Sequence, residues 1–132
     1  MKTFTWHYAG IVQAGSHDLR LRRGGGSEKL VVGRWVPKEV RVSLGAASSK
    51  GAVSIDLEDD GVSLFSDVFP GVPVGDKEGT LDVFRDPVTD DPDGSNVAFY
   101  TIEDGSVLTL EVLKAGNGAH ALTVELDLEE AD

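Results

Sequence analysis

Cysteine is absent from the 132 residues, which removes disulfides, thiolate nucleophiles and cysteine metal sites together. Long apolar runs are absent as well. No hydrophobic stretch lasts more than a few residues, whereas a membrane-spanning helix needs roughly 20. A 3.6-residue periodicity of useful length is missing, which excludes a helical bundle. The opening MKTFTWHYAG alternates polar and aromatic residues and lacks a continuous apolar core, so we expect no secretory leader and synthesis in the cytoplasm. Catalytic signatures are missing too. There is no Gly-x-Ser-x-Gly elbow and no Cys–His pairing, and His7, His17 and His120 show no metal-ligand spacing. Gly24-Gly25-Gly26-Ser27 lacks the Gly-Lys-Ser/Thr of a phosphate loop, and no helix pattern follows it. These absences predict a protein that is not an enzyme and carries no cofactor.

What is present is strand and turn. In Gly51–Phe65, Val53, Ile55 and Leu57 alternate with Ser54 and Asp56, the period of two of a strand with one buried face. Asp60-Gly61 supplies the positive φ of a tight turn, and Val62, Leu64 and Phe65 lead back. Phe4, Trp6 and Tyr8 mark an opening strand, and Leu19 and Leu21 a second. Leu30–Val32 begins a third strand, broken at Gly33, with Trp35 and Val36 standing just before Pro37. Val40, Val42 and Leu44 alternate after that proline. Residues 66–80, with two prolines and three glycines, read as a crossing between sheets anchored by Phe69 and Val72. Leu81 and Val83, Val97–Tyr100, Val107–Leu113 and Leu122–Leu128 supply the remaining strands. Sixteen glycines suit the many turns this requires. About eight strands with turn signals every eight to twelve residues predict one all-β domain over 1–132, a β-sandwich of jelly-roll or Greek-key kind.

Charge is unevenly spread. Residues 1–50 hold nine Lys/Arg against three acids, and residues 51–132 hold three against twenty, for a net charge of −11. A basic half can dock on an acidic partner, or strands from both halves can interleave and mix the charges in space. The overall acidity argues against general nucleic-acid binding.

Two acidic clusters invite a calcium question, since calcium takes six to eight oxygens. Asp90, Asp91 and Asp93 form one, and Asp56, Glu58, Asp59 and Asp60 the other. The order Asp91-Pro92-Asp93-Gly94-Ser95 departs from an EF-hand loop and lacks its closing Glu, so solvated turns are the plainer reading. Trp6, Tyr8, Trp35 and Tyr100 can serve either a sheet core or sugar stacking. In the stacking case, Asp and Asn of the 86–96 loop would supply hydrogen bonds.

The last ninety residues resemble a module of tailed-bacteriophage virion proteins, especially small capsid-decoration and minor tail proteins of phages of actinobacteria. The matching residues are Leu44-Gly45-Ala46, Ile55-Asp56-Leu57 with Asp60-Gly61 and Leu64-Phe65, Val72-Pro73 and Gly75, Gly105 with Leu108-Thr109, and Gly118 with Leu122-Thr123-Val124. Asp104-Gly105 inverts the usual Gly-Asp order of the module, and the first forty residues match loosely. The resemblance implies a virion location and a homotrimeric sandwich that works as part of a particle, with the major capsid or tail protein as partner. Capsid decoration is the first expectation, with Arg20, Arg22, Arg23 and Arg34 as docking residues. The alternative is a minor tail or fibre-tip protein, or a carbohydrate-binding module for host attachment, which would stack glycan on Trp6, Tyr8, Trp35 or Tyr100. Neither membrane nor nucleic acid is expected as a partner.

Overall fold

A computed structural model of the chain describes residues 2–13, 28–85 and 100–131. Among them are nine strands: β1 (Lys2–Ile11), β2 (Glu28–Leu30), β3 (Trp35–Ser43), β4 (Val53–Asp59), β5 (Val62–Ser63), β6 (Gly71–Val72), β7 (Glu78–Leu81), β8 (Val107–Ala115) and β9 (His120–Glu130). They form two antiparallel sheets, and the described residues contain no helix. The first sheet has the order β1-β9-β3-β7; the second has β2-β8-β4-β5, with β6 also on β4. The fold is an all-β sandwich, as the alternation predicts.

The pairings nest. β1 pairs with β9, β2 with β8 and β3 with β7. At the centre, β4 pairs with β5 at Glu58–Asp59 and with β6 at Val53–Ser54, so β5 and β6 act as one interrupted strand. Successive strands of the first half therefore meet those of the second half in reverse order.

The core lies between the sheets. β9 contributes Leu122, Val124, Leu126 and Leu128, and β3 contributes Val40 and Val42 opposite Leu126 and Val124. From the other sheet come Val53, Ile55 and Leu57 of β4 with Leu108, Leu110 and Val112 of β8. Each is essentially fully buried, a gain of about 1.5–3 kcal/mol per side chain. The same period of two that identifies these strands in the sequence decides which face is apolar.

One side of the sandwich is closed by close backbone approach. A Cβ at Gly79 would overlap the Gly71 carbonyl oxygen, and a Cβ at Gly71 would overlap that of Val53. Glycine at both positions lets β6 of the second sheet lie against β7 of the first. The crossing expected over 66–80 thus carries two short strands. Val72 is buried, while Phe69 is 37% exposed and meets Phe65 edge-on at 6.1 Å.

The central hairpin forms as expected, with φ of 50° at Asp60 and 87° at Gly61, the signs of a type I′ turn. Its return arm is shorter than expected. The Leu64 N–H bonds back to the Leu57 carbonyl at 2.9 Å, and Leu64 and Phe65 then turn into the core. β3 is longer than expected and runs through Pro37, with a register shift between Pro37 and Glu39. Its pairing with β7 begins only at Val40, so on that side the missing proline N–H costs no ladder bond. The strand expected at Leu19 and Leu21 lies outside the described residues, as does most of Val97–Tyr100; Tyr100 itself is described and is not in a strand. Val83, expected in a strand, follows β7 and is 62% exposed.

The uneven charge is mixed in space by this topology. β1 and β3, from the basic half, flank the acidic β9. Arg41 bonds Asp127, Glu39 and Glu125, and Lys38 lies 3.6 Å from Glu129.

Candidate functional site

The acidic run Asp56–Asp60 is split three ways by the strand that carries it. Side chains alternate across β4, so Asp56 and Glu58 share the outer face while Asp59 has the parity of Ile55 and Leu57. Asp59 is buried and accepts the Tyr100 hydroxyl at 2.6 Å. Asp60 sits in the turn and accepts the Val107 N–H at 2.9 Å. On the outer face, the register with β8 places Glu111 opposite Asp56 and Thr109 opposite Glu58. Carboxylate oxygens of Asp56, Glu58 and Glu111 lie within 4.8 Å of one another.

Like charges directly opposite each other in a sheet repel. Asp56, at 6% exposure, accepts the Ser63 hydroxyl at 2.6 Å, and that oxygen in turn accepts the Phe65 N–H at 3.0 Å. The Thr109 hydroxyl approaches Glu58 at 3.4 Å. Three carboxylates at this spacing are the residues here that could hold a hard divalent cation, with hydroxyl oxygens nearby. Sequence reasoning found Asp56 and Glu58 in the acidic run but missed Glu111, which only the β4–β8 register brings to them. Its one sequence signal is its position on the polar face of the Val107–Leu113 alternation. Asp90, Asp91 and Asp93 lie outside the described residues.

The docking arginines divide. Arg20, Arg22 and Arg23 lie outside the described residues. Arg34 is exposed and forms a forked pair with Glu103, Nε to Oε1 at 2.9 Å and Nη2 to Oε2 at 3.4 Å. Its Ala131 and Gly33 surroundings are ordered as well: the Ala131 N–H bonds the Arg34 carbonyl, and the Gly33 N–H bonds Asp104.

The stacking aromatics occupy separate surroundings. Trp6 is 2% exposed, part of the core and tilted against Phe4 at 6.3 Å, so it presents no open face for a sugar. Trp35 is partly buried; its indole N–H donates to the Val32 carbonyl at 2.7 Å, and the Lys2 ammonium lies 5.8 Å from its ring centroid. Tyr8 is partly buried against the core. Tyr100 is held between Asp59 and the Arg85 guanidinium, which lies 5.9 Å from its ring centroid. Burial, then the bond to Asp59 and the nearby negative charge, pushes its phenol above the ordinary range. No protein-family model matches the chain, and a search of curated proteins finds no match.

Proposed function

We propose that this protein is a non-enzymatic structural component of a tailed-phage particle, first of all a capsid decoration protein that docks on the particle surface. The observation that carries the reading is the nested pairing of strands, β1 with β9, β2 with β8, β3 with β7 and β4 with β5 and β6. That order supports reading the sandwich as a jelly roll, a double-sheet fold found in viral capsid and lectin domains. A fold alone does not fix a function. The sequence resemblance adds to it, because Ile55-Asp56-Leu57, Asp60-Gly61 and Leu122-Thr123-Val124 fall in β4, in its turn and in β9.

Docking is assigned to Arg20, Arg22 and Arg23, with Arg34 a lesser contributor because Glu103 already engages it. The second reading is a tail-tip or glycan-binding module. Lectin use of the same wrapping favours it, and burial of Trp6 weighs against its stacking surface. The test is the copy number of the chain in density-banded particles. A decoration protein bands with the particles in numbers comparable to the major head protein, and replacing Arg20, Arg22 and Arg23 by Glu releases it. A few copies per particle would favour the tail reading, and absence from the band would overturn both.

A further inference from the structure

The chain holds two asparagines, Asn96 and Asn117, and only Asn117 is followed by glycine. Asparagine is thermolabile, because the main-chain nitrogen of the next residue can attack its side-chain amide. After Asn96 the branched Val97 crowds that nitrogen, whereas Gly118 has no Cβ to stand in the way. Asn117 and Gly118 are exposed in the turn between β8 and β9. Neither the Asn117 side-chain amide nor the Gly118 N–H has a partner among the described residues.

The Asn117 main chain is held, by contrast. Its N–H donates to Ser48 Oγ at 2.9 Å, and its carbonyl accepts the Ser49 N–H at 2.9 Å and the Ser49 hydroxyl at 3.2 Å. That carbonyl is conjugated with the Gly118 nitrogen through the peptide bond. When the nitrogen loses its proton, the negative charge is shared with the Asn117 oxygen, where two donors already stand. Donors aimed at an atom on which charge develops lower the barrier to that state.

We propose that Asn117 is a site of spontaneous deamidation, promoted by Ser49 through the Asn117 carbonyl. Solvent hydroxide takes the Gly118 amide proton, and the nitrogen bonds to Asn117 Cγ. The bond from Cγ to the side-chain nitrogen breaks, and ammonia departs with a proton from water, leaving a cyclic imide. Water then opens the imide. Attack at the side-chain carbonyl gives aspartate at this position; attack at the main-chain carbonyl gives isoaspartate, with one extra carbon in the main chain. The balance is one water consumed and one ammonia released, with no oxidant or reductant. Two Asp-Gly steps among the described residues could close the same ring, and the fold engages both. The Gly105 N–H donates to the Val31 carbonyl at 2.8 Å, while Asp104 accepts the Gly33 N–H at 2.7 Å. Asp60 accepts the Val107 N–H at 2.9 Å. Their carboxylates are also poorer targets for a nucleophile than a neutral amide. The inference does not depend on the particle reading.

The test is to incubate the full chain at mildly alkaline pH, follow it by isoelectric focusing and map its tryptic peptides. The protein should gain one negative charge, carried by the peptide 115–132 that follows Lys114. An isoaspartyl methyltransferase should label that peptide. Asn117→Gln, which would have to close a larger ring, should not acquire the charge there. Ser49 is exposed, so Ser49→Ala keeps the fold. It removes the hydroxyl donor and should slow conversion about 3–10-fold. In guanidinium, where the loop no longer faces the turn, the variant and the unmodified chain should convert at one rate. A folded protein that converts first at Asn96, or that keeps its amide at Asn117, would overturn the proposal. Ser49→Ala that converts as fast as the unmodified chain, or faster, would overturn the part given to Ser49; faster conversion is what a serine that merely restrains the turn would produce.

Discussion

Arg41 is the charge that holds the outer face of the first sheet together. It bonds Asp127 with two nitrogens and also reaches Glu39 at 3.0 Å and Glu125 at 3.4 Å. The hydrogen bond from Arg41, and after it the one from the Thr3 hydroxyl, holds the Asp127 carboxyl below the ordinary carboxylate range. A depressed folded value stabilises above the unfolded value of about 3.9 and is lost as pH falls through the folded one. Asp127→Asn should therefore cost about 0.5–1 kcal/mol at neutral pH, a modest figure because Arg41 is 36% exposed and screened. The gap to the unmodified protein should close in urea melts run toward pH 2. Tyr100 has the opposite sign. Its raised phenol contributes stability that is complete below about pH 10 and is lost as pH rises through the folded value. Tyr100→Phe leaves the buried Asp59 carboxylate short of a donor and should cost about 1–3 kcal/mol. In a phenolate absorbance titration it should also remove the component that appears at the highest pH.

The corner between β6 and β7 is where single elements are most exposed to a small change. Gly79→Ala would drive a methyl group into the Gly71 carbonyl, and the two backbones must separate to admit it. We expect about 2–4 kcal/mol of destabilisation, read as a lowered melting temperature, against roughly 1 kcal/mol or less for an ordinary strand glycine. This corner was not legible in the sequence. Residues 66–80 read as an irregular crossing because two-residue strands carry no period, and Gly71 and Gly79 act through each other's backbone and not through a pattern. The long strands were legible, since Val53, Ile55 and Leu57 or Leu122 through Leu128 each show one apolar face. The β4–β5 turn was legible from Asp60-Gly61, but the end of β5 at Ser63 was not, because Leu64 and Phe65 are drawn into the core by packing that no local signal records. The acidic site was half legible. Asp56 and Glu58 stand in one run, whereas Glu111 joins them only through register.

Across the whole molecule, the nested wrapping determines what the surface can offer. It brings β1 and β3 of the basic half beside β9 of the acidic half, so the charge division seen along the chain does not survive as two faces among the described residues. Arg34, Lys38 and Arg41 each meet an acid of the second half. Docking by charge is accordingly proposed for Arg20, Arg22 and Arg23. We propose that this sandwich works as part of a phage particle. Immunogold labelling of purified particles, with antibody that recognises the folded chain, tests it most directly. Gold spread over the heads is the expected result. Gold confined to the tail end would move the protein to host attachment, and intact particles left bare would contradict the claim.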